Sequence, residues 1–438
     1  MFRQSLKTAG VLSLTAAVLF GCSGGSKPAE VQGESQAEKP KEPVTLTFYD
    51  PSAGVLPETF MEQYGNLIVK KYPHITIKFV SSPDTNPEAH ITSMIAAGDP
   101  IDVMLNADLN HYRLIAPFKF EYDMTELIKK NKYDLSQLDP SILQAVQTLS
   151  GGGMYALPFR MNTLGLMYNK DIFDQFGKPY PKDGMTWDET YELAKQLTRT
   201  VDGTEYRGFI TQFYNMGWLN QQSLGFIDPK TDKPIIHTDE RWAAFTRNLS
   251  RFYEIPGNVT KEGSFSGISN LFLKSKTAAM YAYTIPTTPQ EVNWDVVQLP
   301  EFSDKRGVGA QSMLTLAYIT SISKHKEAAF DAISYMTSDE MQTHIAKQAL
   351  GLPVINNKQV KDVYGQDNPN LKGKNVKSLL ISKPAAPFVA AQHNRTIALQ
   401  FEKMMYTLTK GGVDVNTALR TAAEEAEKEI AKIKSGSK

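Results

Sequence analysis

The chain has 438 residues, with lysine plus arginine and aspartate plus glutamate balanced at 47 each, so its formal net charge is zero and no global field exists to hold a polyanion; nucleic acid is excluded as a partner. Hydrophobic residues make up 41% and aromatics 10%, enough to build cores and still furnish aromatic surfaces at a site. A single cysteine excludes an intramolecular disulfide and a cysteine-built metal site.

Arg3 and Lys7 precede an uncharged apolar run over residues 9–20. That order of regions is an export signal, and the run falls short of the roughly 20 residues that a bilayer-spanning helix needs. Leu19-Phe20-Gly21-Cys22 follows and resembles a bacterial lipobox, which implies cleavage after residue 21 and a lipid on Cys22. Residues 23–43 are rich in Ser, Gly, Lys, Glu and Gln and have almost no bulky apolar side chain, so they read as a flexible tether. The remaining chain has no apolar run long enough to span a membrane, and it is too long for one ordinary core, which suggests two domains.

Val44, Leu46 and Phe48 alternate with Thr45, Thr47 and Tyr49, the period of a strand. Pro57 suits the first turn of a helix that carries Phe60, Met61, Tyr64, Leu67 and Ile68 and stops at Tyr72-Pro73. Ile75, Ile77 and Phe79 predict a second strand, Pro87 to Gly98 a second helix, and residues 101–105 a buried third strand. This β-α-β-α-β order implies a parallel sheet with right-handed crossovers, and such sheets bind ligands beyond the carboxyl ends of their strands. Tyr49-Asp50 and Asn106-Ala107-Asp108 fall at those ends.

Gly151-Gly152-Gly153 precedes a largely apolar, extended stretch over residues 154–168, so the glycines read as a hairpin tip; they lack the lysine and spacing of a phosphate loop. Thr186 and Glu189 form a capping box at the start of a helix through Leu193, Ala194 and Leu197, which makes Trp187 a packing residue. Residues 278–283 read as a strand, 326–336 and 338–350 as helices. Residues 416–434 read as a long helix whose buried stripe is Leu419, Ala422, Ala423, Ala426, Ile430 and Ile433.

Residues 151–170 read GGGMYALPFRMNTLGLMYNK and continue DIFDQFGKPYPKDGMTWDET. With KTAAMY at 276–281, SKHKEAAF at 323–330 and Tyr335-Met336-Thr337-Ser338, this resembles the family 1 extracellular solute-binding proteins that serve ABC sugar importers. The resemblance covers nearly all of the chain after the tether. It implies a periplasmic-binding-protein-like Venus flytrap: two α/β domains with mainly parallel central sheets, joined by several crossings, with the solute enclosed between them. Crossings are expected near residues 157–162, 307–314 and 351–356. They give an N-terminal lobe of residues 44–159 plus about 312–352 and a C-terminal lobe of residues 160–311 plus about 353–438.

The same resemblance maps ligand contacts onto Tyr49, Asp50, Asn106, Asp108, Arg160, Asn162, Trp218 and Tyr283. Sugars offer paired hydroxyls and C–H patches, so planar polar side chains and aromatic faces suit them. Five have a structural alternative: Asp50 and Asp108 as helix caps, Arg160 in an interdomain salt bridge, Trp218 in a core, Tyr283 as a plain strand residue. Trp294 and His393-Asn394-Arg395 are weaker candidates. Tyr49 stands where related proteins often carry tryptophan, and Tyr283-Thr284-Ile285-Pro286 lacks the glycine-tryptophan turn of many members, which points to an unusual glycan or a solute that is not a simple sugar.

No nucleophile elbow, no HExxH and no clustering among the seven histidines points to catalysis. The expectation is a monomeric binding protein without catalytic residue, cofactor or metal. It sits on the outer face of a cell membrane by its lipid anchor alone, in an arrangement resembling that of Gram-positive bacteria, and its partners are a sugar or oligosaccharide and a permease. A binder of another solute, such as a peptide, is the alternative on the same fold; a secreted glycan-processing enzyme is the other.

Overall fold

The computed structural model describes residues 41–259, 265–389 and 391–436; the export signal, Cys22 and the tether up to residue 40 lie outside the described residues. From Glu42 onward the chain forms one compact unit. Its main strands are β1 (Val44–Asp50), β2 (Ile75–Ser81), β3 (Val103–Ala107), β4 (Leu157–Asn162), β5 (Gly165–Asn169), β6 (Ile210–Thr211), β7 (Met280–Tyr283), β8 (Trp294–Gln298) and β9 (Met313–Ile319).

These strands build two sheets, ordered β2-β1-β3-β9-β4 and β8-β5-β7-β6. In the first, β1 is parallel to β2 and β3, while β9 runs against both of its neighbours. In the second, β5 runs against β7 and β8, and β7 is parallel to β6. Each sheet is therefore mainly parallel in direction with one reversed strand inside it; the first lies in one apolar core, and the second sends Met167, Tyr281 and Val296 into that core and Leu166, Met280 and Val297 into another. This is the expected two-lobed α/β architecture.

The β-α-β-α-β opening forms as the alternation predicts. The first helix runs Pro57–Phe60, passes through a π turn at Met61–Gly65 and ends as Asn66–Lys71. The second, Pro87–Ala97, starts with the Asn86 side chain accepting the Ala89 N–H at 3.3 Å and stops at Gly98, whose φ of 76° a side chain would oppose.

The alternation is silent in one respect. It marks a strand without telling how far its polar positions are covered: Leu46, Phe48 and Tyr49 are 0% exposed and Thr47 1%. Strand β1 lies inside the sheet between β2 and β3, and such strands are buried on both faces. The polar groups this encloses are paired. Asp102, itself 1% exposed, accepts the Thr47 N–H on Oδ2 at 2.9 Å and the Ser323 hydroxyl on Oδ1 at 2.6 Å, tying β1 to the chain after β9.

Two expectations change. Gly151 and Gly152, at φ 62° and 99°, follow the helix Pro140–Leu149, so they turn a helix into an extended segment and are not a hairpin tip. The final helix spans Val415–Gly436 with the expected stripe buried except Ile433, which is 44% exposed. The Thr186–Glu189 capping box is present, and the buried Trp187 donates its indole N–H to Gln221 Oε1 at 3.0 Å.

The chain leaves the first sheet at Asn162 and enters the second at Gly165, then returns between Gln298 and Met313. The two passages touch, because Met313 is the register partner of Asn162. A third strand of chain lies alongside: the N–H of Met161 donates to the Leu352 carbonyl at 3.0 Å, and that of Leu352 to Met161 at 2.8 Å. Among the described residues, no helix is long and apolar enough to cross a membrane.

Candidate functional site

Strand β3 ends at Ala107, and Asp108 opens the short turn Asp108–Asn110 at the sheet's carboxyl edge. Its Oδ1 accepts the Leu109 N–H at 2.8 Å. Burial pushes the carboxyl up to about 7, against the pull of the Leu109 and Leu314 backbone N–H groups.

Across from it stands Trp218, the last residue of the helix Phe213–Trp218, which packs in the core of the second sheet. Its indole stacks on Tyr214 (ring centroids 5.9 Å apart, 16° between planes) and meets Phe388 edge-on at 5.4 Å. Asp108 and Trp218 together line two cavities. One, of about 290 Å³, is completed by Glu88, Tyr112, Arg113, Asn394 and Arg395. The other, of about 60 Å³, is completed by Leu149, Gln311, Leu314 and Phe388.

The charges of the larger cavity are partly matched. Arg113 grips Glu88 with Nε on one carboxylate oxygen and Nη2 on the other, the latter at 2.8 Å. Burial works to raise Glu88, but the Arg113 hydrogen bond and charge, with help from Arg395, leave it below the usual carboxylate range. The Tyr214 hydroxyl, buried without a hydrogen-bond partner among the described residues, is pushed up to about 12 by burial and feels Arg395, Glu402 and Asp108. A flat aromatic stack, a carboxyl and a guanidinium thus surround one space between the two sheets, a combination that can hold a solute with C–H faces and polar edges.

A second cluster forms beside β1 and β4. Burial raises the Asp50 carboxyl, while hydrogen bonds from Ser52 and the Arg160 charge pull the other way. Arg160 donates from Nη1 to the Leu350 carbonyl at 2.9 Å and lies by the buried Tyr64 hydroxyl.

The family model described as "Bacterial extracellular solute-binding protein" matches residues 53–343, well over half of the chain. The chain belongs to that family. Among curated proteins, this solute-binding protein is 21% identical to the sn-glycerol-3-phosphate-binding periplasmic protein of Brucella melitensis, over 70% of this chain and 74% of the relative. Among solved structures it is similar to an ABC substrate-binding protein of Listeria monocytogenes in complex with cycloalternan, at TM-score 0.70 and 19% identity, covering 89% of this chain and 100% of the other. It is also similar to the sugar-binding protein MalE of Xanthomonas citri, at TM-score 0.68 and 18% identity, covering 89% and 98%.

Within the solute-binding protein, the residues expected from the sequence separate into groups. Asp108 and Trp218 line the same cavities; Asp50 and Arg160 form the neighbouring cluster, where Arg160 is a clasp on backbone and, among the described residues, not half of an ion pair. Tyr49 needs correction. It is fully buried, and its hydroxyl pairs with His90 Nδ1 at 3.2 Å, so it supports the sheet and offers a solute no surface in this structure. Asn106 is 2% exposed, sealed on β3 opposite Leu316 with both amide atoms unpartnered among the described residues. Half-buried Asn162 lies at the crossing, and Tyr283 stacks on Tyr281 at 5.4 Å and 9°; neither lines the Asp108–Trp218 cavities. Trp294 is buried under Lys374, whose Nζ sits 4.5 Å from the ring centroid.

Sequence reasoning missed Glu88, Tyr112, Arg113, Tyr214 and Phe388 and ranked Arg395 low. The one sequence signal available was position: Glu88 opens the helix after β2, and Arg113 follows the end of β3, both at the carboxyl edge.

The raised Asp108 carboxyl predicts a pH dependence. A proton held more tightly folded than unfolded contributes stability below the unfolded value near 4 that is lost as pH rises to about 7. Asp108→Asn fixes the neutral form. The difference in thermal midpoint, variant minus parent, should grow in the variant's favour from pH 4 to pH 8; a difference independent of pH would show that Asp108 does not carry the shift.

Proposed function

We propose that this solute-binding protein captures a sugar or oligosaccharide between its two lobes, outside the cytoplasm, and delivers it to the permease of an ABC importer. The observation that carries the reading is the meeting of Asp108, at the carboxyl edge of one sheet, with the stacked Trp218 of the other lobe across one cavity. A carboxyl takes sugar hydroxyls in pairs, and an indole covers the C–H face of a ring. Fold relatives solved with carbohydrates, such as the Listeria protein with cycloalternan, support the same class of ligand.

In this reading Cys22 carries the lipid, residues 23–43 are the tether, and the protein works as a monomer without a catalytic step. The first lobe comprises residues 44–159 and about 312–352, the second residues 160–311 and about 353–438, with Asp50, Arg160 and Asn162 close to the crossing. Thermal unfolding against a panel of oligosaccharides, monosaccharides, amino acids and short peptides tests it. A solute at a hundred times its dissociation constant adds about 2.7 kcal/mol, a shift of a few degrees. Shifts confined to peptides or amino acids would overturn the sugar assignment.

One observation favours a second reading, a solute with an anionic group. Arg395 lines the larger cavity, and its neighbour Arg113 is already held by Glu88. The Brucella relative binds sn-glycerol-3-phosphate, so that compound belongs in the panel.

A further inference from the structure

The C-terminal helix carries its apolar stripe past the part that packs. Leu419, Ala422, Ala423, Ala426 and Ile430 are buried, and Ile433 continues the same face at helical spacing, yet it is 44% exposed. A lone exposed isoleucine is ordinary on a protein surface. This one is set apart by its place: of the exposed large apolar side chains among the described residues, Ile433 is the one that lines a cavity shared by Asp108 and Trp218. It stands in the wall of the space of about 290 Å³ together with His393, Asn394 and Arg395.

The last turn of the helix is held at that wall. Lys434, next along the chain, pairs with Asp232 in the hairpin of Ile227–Asp228 and Lys233–Pro234. Asp232 Oδ2 also lies 3.7 Å from Nε2 of His393, which is 3% exposed, so one carboxylate faces both the helix end and the cavity wall. The Asp232 backbone is fixed in turn, its N–H donating to the Asp228 carbonyl at 2.8 Å. A contact mounted on a fixed helix turn costs little ordering when a solute arrives.

We infer that Ile433 is a solute-binding residue: it covers the C–H face of a sugar ring in the cleft, so the end of the C-terminal helix takes part in choosing the solute. The inference rests on the sugar reading and adds to it a second apolar surface, besides Trp218, in the cavity whose charged edges are Glu88, Arg113 and Arg395. An aliphatic side chain has no hydrogen bond to offer, so what it selects is ring surface free of hydroxyls, and a solute that buries it gains the hydrophobic free energy that exposure forgoes. A small anion that is polar on every side gains nothing from it.

Calorimetry with maltose, maltotriose and cycloalternan as glycan probes, and sn-glycerol-3-phosphate as the small anion, tests this on the protein and three variants. Ile433→Ala removes the contact, Ile433→Leu restores an apolar side chain, and Ile322→Ala is the control, because Ile322 is 47% exposed beyond the end of β9 and lines neither Asp108–Trp218 cavity. For the glycan that the parent binds best, affinity should fall about tenfold in Ile433→Ala, return most of the way in Ile433→Leu and stay at the parent's value in Ile322→Ala. The thermal midpoint without solute should stay within about 1 °C of the parent in all three, since the side chains replaced are exposed. If alanine lowers that midpoint, Ile433→Gln, a good helix former with a polar end, decides in its place. Glycan affinity unchanged in folded Ile433→Ala, or lowered equally in Ile322→Ala, overturns the inference and leaves the sugar reading standing. A parent that binds sn-glycerol-3-phosphate and no glycan, or none of the four probes, overturns the sugar reading and this inference with it.

Discussion

Trp218→Ala should lower affinity for the solute about thirtyfold, a loss of about 2 kcal/mol, the scale at which truncating a central aromatic anchor is felt. The indole joins the Tyr214 ring and the Phe388 edge in one apolar wall facing Asp108, so its removal takes away the flat surface and admits water to the carboxyl. Some fold stability goes with it, because Trp218 also stacks on Phe226 at 5.8 Å. Trp218→Phe separates the two effects by keeping a ring in the stack, and should recover most of the affinity. Calorimetry with the best solute of the panel measures this; a folded Trp218→Ala that binds as tightly as the parent would remove Trp218 from the site.

Asp102→Ala should be the most destabilising single change in the first lobe. The carboxylate receives the Thr47 N–H and the Ser323 hydroxyl in a fully buried place, and hydrogen bonds to charged groups contribute about 1.5–3 kcal/mol each. Alanine leaves a buried N–H in the middle of β1 with no acceptor. The expected cost is at least about 3 kcal/mol, read as a fall of at least about 5 °C in the thermal midpoint, with Asp102→Asn recovering part of it. A midpoint within about 1 °C of the parent would mean that a water or a shifted carbonyl replaces the carboxylate.

What could be read from the sequence follows the distance over which each feature is decided. The helix opened by Pro87 with its Gly98 stop, and the Thr186–Glu189 box, depend on neighbours within a turn, and both form as expected. The placement of Asp108 and Trp218 in one cavity was legible from the rule for strand ends together with the family resemblance. Tyr49 was not, because alternation reports two faces without reporting whether the second is covered, and the helix bearing His90 covers it. The Glu88–Arg113 fork joins residues on different elements, so no local pattern announces it. Arg160 carried no visible partner because its acceptor is a backbone carbonyl at Leu350, a group present at every position and therefore silent in a sequence.

The two touching passages between the sheets set what kind of movement the lobes can make. Only Thr163 and Leu164 separate β4 from β5, and the returning chain is held beside them where Met313 pairs with Asn162. Chain so short and already extended has no slack, so the lobes cannot draw apart along the passage. What remains is bending or twisting at those few residues, as of two plates on a stiff double strap. A partner that senses occupancy of the cleft must then read an angle, and the lever for that reading lies at the rim farthest from the strap, where a small turn of Thr163 becomes the largest displacement of surface.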